Sequence, residues 1–363
     1  MNESLPPTVP HADEPEGLDE QALNLGSFPI DSLMIRTETR SVFEVSRRID
    51  TNHYVMDPDF QRKFVWDPDR QSKLIESALL RIPLPVFYLA ETTDGKVVVV
   101  DGLQRLTTFH RYLKDQFSLR GLAFAKELNG LKFRDLAPSL KNRLEDTPLT
   151  LYLIDSKVPD EAKYEIFERV NSGVPLSRQQ MRNCLYVGEA TRWLGRMADH
   201  VDFLDCTDRS LNWRTMRDRE CINRFAGFFL RGPNSYAGDM EDFLNTTLKQ
   251  MNSESEFGSL TQDFLKSMRI NKSIFGKHAF RKSINAGYTR SVINVALFDI
   301  FSREFALWPE SIAIQRAEDI KKASKAMLAD DDFLDAISRS TNSTKNVKIR
   351  FQFVENHIRP LLS

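Results

Sequence analysis

The chain has 363 residues, of which 41% are hydrophobic and 28% charged, and its formal net charge is −1. That composition excludes wholesale disorder and supplies a core large enough to fold without disulfide or metal staples. Charge is unevenly placed: the first 40 residues carry eight acidic and two basic side chains, which leaves the rest with a balance of +5.

Length predicts two or three domains. The three cysteines, Cys184, Cys206 and Cys221, are odd in number and form no C-x-x-C. A disulfide framework and a cysteine zinc site are therefore not expected, and a reducing cytoplasm is the simplest compartment. The acidic, Pro-rich start lacks a charged segment followed by an apolar one, so no secretory signal is expected. The longest pure aliphatic run, Val97–Val100, is far too short to span a membrane, and no membrane partner is expected.

Residues 1–35 read as a disordered acidic leader. Ser41–Ile49 then predicts a short helix and Tyr54–Met56 a short strand. Over Asp69–Ile82, Leu74, Ile75, Ala78, Leu79 and Ile82 fall on one helical face, and Pro83 and Pro85 end that helix. Val86–Ala90 predicts a strand, Thr93-Asp94-Gly95 a tight turn, and Lys96–Val100 a buried β-branched strand. Asp101-Gly102 leads straight into a helix through Leu113. Leu149–Ile154 predicts another strand and Asp160–Val170 a helix. Ser177 opens a further helix with Gln180 as its capping-box partner.

Beyond residue 187 the periodicity is helical throughout, at 187–200, 216–230, 238–252, 258–270, 288–306, 311–338 and 345–361. The expected fold is α+β: a small mixed sheet with helices over 36–158, then an α-helical domain over 159–363. A ligand is expected in the cleft between the two, because sites favour domain interfaces.

Three segments carry candidate chemistry. In Val100–Thr108 a buried strand ends in Asp-Gly and turns at once into a helix. The first turn of that helix offers backbone N–H groups and the positive end of the helix dipole, an arrangement suited to an anion. Gly102 permits close backbone approach. Arg105 offers a planar fork to phosphate oxygens. Gln104 suits reading or orienting a polar group, and Asp101 suits a metal, a ribose hydroxyl or a water. The second segment, Asp59–Trp66, adds the pair Gln61-Arg62. Two arginines converging on one anion suit a triphosphate. The third is Phe167–Ser177. Glu76 and Glu168 sit on helices near these segments, and Tyr152 and Asp155 end a strand that could line the same cleft. For these four a structural role is the better expectation.

The order F-Q-R-K-F-V-W, L-I-E-S, I-P-L-P, V-V-D-G-L-Q-R-L-T-T and F-E-R-V-N-S-G-V-P-L-S-x-Q-x-x-R-N resembles the N-terminal domain of GmrSD-type restriction endonucleases, a ParB/sulfiredoxin-like fold. The agreement runs over about residues 40–190. The later R-K-S-I-N, V-A-L-F-D and K-I-R-F-Q-F stretches resemble that family's helical extension.

The resemblance implies a nucleoside-triphosphate site with Mg²⁺. Asp101, Gln104 and Arg105 would be catalytic, with Asp101 also toward the metal. Gln61, Arg62, Gly102, Thr107 and Asn171 would hold the nucleotide. Leu103 departs from the family's usual Gln. The resemblance also implies phage defence, with the site regulating or powering a nuclease. The six histidines provide no His-Asn-His pattern in the expected context, so the nuclease half is expected to be missing and a separate nuclease subunit to be the partner.

DNA is a further candidate partner. Residues 263–290 hold seven basic residues and one acid, with Phe275, Phe280 and Tyr288 interleaved. Lys272, Lys277, Arg281, Lys282 and Arg290 could neutralise phosphates. The alternative expectation for the whole chain is thus a DNA-binding adaptor without catalysis that recruits a nuclease.

Overall fold

The computed structural model describes residues 15–17, 34–56, 66–92, 95–170, 176–253, 257–284 and 290–362. The chain divides into two compact units. One is Leu23–Leu185; the other joins Met1–Ala22 to Tyr186–Ser363.

The first unit contains the only sheet among the described residues. Its strands are β1 (Ile35–Ser41), β2 (Tyr54–Val55), β3 (Phe87–Glu91), β4 (Val97–Asp101) and β5 (Pro148–Ile154), in the order β1-β5-β3-β4-β2. The sheet is mixed: β1–β5 and β3–β4 are antiparallel, β2–β4 and β3–β5 parallel. The four valines of β4 are buried on both faces, which is why the strand reads as a continuous β-branched run.

One face meets α1 (Val42–Asp50), α2 (Pro68–Leu79), α3 (Leu103–Leu113) and α4 (Pro138–Glu145). Phe87, Leu89, Val97, Val99, Leu151 and Leu153 form its core with Ile75, Leu106, Phe109 and Tyr112. Local chemistry sets the helix starts. Ser41 caps α1 by accepting the Glu44 N–H at 3.2 Å, and Asp67 caps α2 by accepting the Arg70 N–H at 2.8 Å.

The opposite face meets α5 (Asp160–Val170) and α6 (Arg178–Leu185), where Ala90, Val100 and Ile154 join Val158, Ala162, Tyr164, Phe167 and Met181. These two helices complete the sheet's second layer. The compact units consequently part after Leu185, and the expected boundary near 158 falls inside the first unit.

The second unit is helical. Its core gathers around α11 (Gly258–Phe275) and α12 (Val295–Ala306), with α7 (Glu189–Ala198), α8 (Val201–Thr207), α9 (Arg217–Leu230) and α10 (Met240–Ser253) before them. After α12 come α13 (Glu310–Gln315), α14 (Ala317–Met327), α15 (Asp331–Ala336), α16 (Thr344–His357) and α17 (Arg359–Leu362). The long helical pattern expected over 311–338 is thus three short helices. Asp299, in the V-A-L-F-D stretch, is fully buried and accepts from Arg224 at 2.9 and 2.6 Å and from Arg350 at 2.7 Å. A buried carboxylate held by two arginines fixes α9, α12 and α16 together.

Part of the expected disordered leader is bound to this helical unit. The Glu16 N–H donates to Ile293 O at 2.8 Å, and the Val295 N–H donates to Glu16 O at 2.9 Å. The Glu16 carboxylate pairs with Lys282, and the Thr341 hydroxyl donates to Gly17 O at 3.0 Å. No helix among the described residues is long and apolar enough to cross a membrane.

Candidate functional site

The site is built at the junction of β4 and α3. Gly102 is the N-cap of α3 with φ +96°, a left-handed conformation that side chains rarely adopt. A Cβ there would meet Phe87 Cε1 at 2.9 Å and Arg105 Nη2 at 3.2 Å. Glycine is therefore required twice, by backbone and by space. As N-cap, Gly102 has no side chain to cap the helix, and the amides of Leu103, Gln104 and Arg105 have no carbonyl of their own helix to meet.

Arg105 is held in place by the protein itself. Nη1 donates to Pro85 O at 2.5 Å, and Nη2 donates to Val86 O at 3.1 Å and Asp101 Oδ2 at 2.8 Å. The guanidinium carbon lies 4.3 Å from the Phe87 ring centroid. Burial pulls this group below the ordinary arginine range, and Asp101 opposes the shift; the side chain stays charged at neutral pH. Arg105 thus fastens the Pro-rich segment before β3 to the start of α3. No local pattern marks Phe87 or the two carbonyls, although the I-P-L-P signature lies there.

The other expected residues fall as follows. Gln104 Oε1 accepts the Trp66 N–H at 3.4 Å, which ties the helix start to the end of the F-Q-R-K-F-V-W segment. Thr107 is buried one turn beyond the helix mouth, an internal position rather than a first-turn contact. Glu76 is structural: its Oε1 accepts the N–H groups of Phe124 and Ala125 at 2.8 Å each. Asp155 accepts the Lys157 N–H at 2.9 Å and stands 3.8 Å from Arg36. Gln61, Arg62 and Asn171, and the Glu168 side chain, lie outside the described residues. Among the described residues no group of three His, Cys, Asp or Glu could hold a metal.

Residues 42–187 match the family model described as GmrSD restriction endonuclease, N-terminal domain. This segment is similar to the GmrSD N-terminal domain. The match begins at α1 and ends just past α6, so it takes in both layers over the sheet. No curated protein matches the chain.

The expected DNA-contacting cations lie beyond the matched segment, in the helical unit. Arg281 is fully buried there. It donates to Ala279 O at 2.9 Å, Thr207 O at 2.9 Å and the Ser210 hydroxyl at 2.7 Å. Lys272 donates to Asp205 O at 2.8 Å. Both side chains cap the carbonyl end of α8, where the helix dipole favours cations. Arg281 is therefore a structural cap and cannot reach a phosphate backbone. Arg290 pairs with Asp208, and Lys282 with Glu16 and the Ser338 hydroxyl. Lys277 is exposed, with no hydrogen-bond or ion-pair partner among the described residues.

Proposed function

We propose that the GmrSD-type domain binds a nucleoside triphosphate at the start of α3 and hydrolyses it slowly, and that this event regulates or powers a nuclease in phage restriction. The observation that carries the reading is the helix start behind Gly102, a left-handed N-cap with no side chain of its own, where backbone amides and the helix dipole favour phosphate oxygens. The family match supports it.

In this reading the first-turn amides bind the terminal phosphates. Gln104 orients the nucleotide, and Arg105 adds positive charge while holding the Pro85–Val86 wall of the turn. The described residues provide Asp101 as a carboxylate toward Mg²⁺, which suits an ion arriving with the phosphates rather than one held in an all-protein cage. Such an ion neutralises charge on the transferring phosphoryl group. The arginines Arg62 and Arg105 and the side chain of Asn171 complete the expected set.

The DNA-adaptor alternative loses support, because Lys272, Arg281, Lys282 and Arg290 all have partners inside the helical unit.

The test is calorimetric titration of ATP, GTP and CTP with Mg²⁺ into the wild type and Gln104→Glu. Glutamate keeps the acceptor for Trp66 and is favourable in the first turn of a helix, yet it places a negative charge where the phosphates would sit. Saturable binding by the wild type, weakened about tenfold or more in Gln104→Glu at unchanged melting temperature, is expected. Absence of binding by all three nucleotides, or undiminished affinity in the variant, overturns the reading.

A further inference from the structure

We infer that the helical unit carries a binding site for an extended acidic peptide of the form Pro-Glu-Gly, and that the chain's own Pro15-Glu16-Gly17 is an exchangeable occupant of it. The inference is independent of the nucleotide reading, because every residue it uses belongs to the other compact unit.

The receiving backbone is the stretch 293–295 at the entrance to α12. Glu16 lies parallel to Asn294: its N–H donates to Ile293 O at 2.8 Å, and its carbonyl accepts the Val295 N–H at 2.9 Å. One residue thus gives both of its main-chain groups to one segment, as a peptide does when it adds to a strand edge. The receiver is held without help from the leader. Asn294 is fully buried, and its N–H donates to Phe280 O at 2.9 Å. Its Nδ2 donates to Ile337 O at 2.7 Å, and its Oδ1 accepts the Leu297 N–H at 2.9 Å. A preformed receiver lowers the cost of binding.

Each of the three peptide residues meets its own requirement. The Lys282 ammonium pairs with the Glu16 carboxylate and donates to the Ser338 hydroxyl at 2.7 Å. That hydroxyl gives its own hydrogen to Leu334 O at 2.6 Å, so it serves as the acceptor that aims the ammonium. Gly17 is left-handed at φ +90°, and its carbonyl accepts from the buried Thr341 hydroxyl at 3.0 Å. A Cβ on Gly17 would come no closer than 3.5 Å to Thr341, so conformation rather than space demands glycine. Pro15 is buried, and having no N–H it brings no donor that needs a partner there.

Such a hold is weak enough to exchange. Three hydrogen bonds and one partly exposed ion pair oppose the entropy of ordering three residues. Covalent connection keeps the segment in place by raising its local concentration at the site. A free peptide must compete with that concentration. A partner protein that displays an acidic Pro-Glu-Gly segment, once brought close, replaces the leader.

The experiment follows a fluorescein-labelled synthetic peptide of residues 11–21 by fluorescence anisotropy. It is titrated with the 363-residue wild type, with Glu16→Lys, whose new charge faces Lys282, and with Gly17→Val, which disengages the leader without changing charge. Both variants are expected to bind the peptide at least tenfold more tightly than the wild type, in which the leader fills the site. A peptide carrying Gly17→Val, and a scrambled peptide of the same composition, should bind them at least tenfold more weakly. Adding Lys282→Ala to the Gly17→Val chain should cost about tenfold. No binding by either variant, equal binding by wild type and variants, or equal binding of the native and scrambled peptides overturns the inference. Should one variant fail to fold, the other decides. Failure of both overturns it too, since an exchangeable occupant is dispensable for the fold.

Discussion

The guanidinium of Arg105 lies 4.3 Å over the ring of Phe87, the same ring that blocks any side chain at position 102. One aromatic residue thus shapes both the arginine and the glycine of the D-G-L-Q-R motif. The motif is a packed structural unit before it is a ligand site.

Gly102→Ala should therefore fail on two counts. The left-handed conformation costs an L-residue about 1–2 kcal/mol, and the added methyl must displace Phe87. The expected outcome is a lowered urea midpoint together with loss of nucleotide binding. A Gly102→Ala protein with wild-type stability would show that the turn is not constrained as described.

Arg105→Ala should destabilise the first unit by about 3 kcal/mol, since it strips the Pro85 and Val86 carbonyls of their donor and leaves the Asp101 carboxylate alone. Chemical denaturation of wild type, Arg105→Ala and Gln104→Glu checks this. The arginine variant should unfold earlier and the glutamate variant should not. Loss of ligand binding in Arg105→Ala is thus uninformative unless its fold is measured beside it.

His110, on α3, is hydrogen-bonded through Nδ1 to the Ser46 hydroxyl at 3.0 Å, with Nε2 3.7 Å from Asp50. Burial, with Lys114 adding to it and Asp50 opposing, holds this imidazole below its ordinary value of 6.5. A base whose folded value is depressed is bound by fewer protons in the native state. Its contribution to stability is complete above about pH 6.5 and is lost as pH falls below that toward the folded value. Melting temperatures from pH 7.5 to 5 should decline more steeply for wild type than for His110→Gln. Parallel declines would remove His110 as a source of the acid sensitivity.

Arg281→Ala should cost about 2 kcal/mol by leaving the Thr207 carbonyl uncapped inside the helical unit. Lys277→Ala, at an exposed position, should change stability by less than about 0.5 kcal/mol. Thermal melts of the two variants distinguish a structural cation from a surface one that sits four residues away.

The elements that follow simple periodicity were legible in the sequence. The helix at Leu103–Leu113, the valine strand before it and the helix at Pro68–Leu79 were all expected within a few residues. The strand Ile35–Ser41 was not. It is an edge strand whose Arg36, Glu38 and Arg40 pair with one another and with Glu44 and Glu91, so its pattern is of charge rather than apolar alternation. Helices α5 and α6 were legible as helices but not as a layer of the sheet, because an apolar stripe does not say which surface it meets. Arg281 reads as a phosphate-facing cation for a related reason. Its carbonyl partner at Thr207 is 74 residues away, and no local spacing reveals a cap built across that distance. At the site, Gly102 was legible from Asp-Gly before a helix, whereas the role of Phe87 depends on strand pairing.

The path of the chain has a consequence for its synthesis. Residues 23–185 are contiguous, and everything their sheet needs has left the ribosome soon after Leu185 is made. The other unit waits. Glu16 and Gly17 are translated before that sheet unit, yet their partners include Ile293, Val295 and Thr341, the last of them 324 residues downstream of Gly17. The nascent chain therefore carries a closed sheet unit while Glu16 and Gly17 still wait for the residues from Ile293 to Thr341 that hold them.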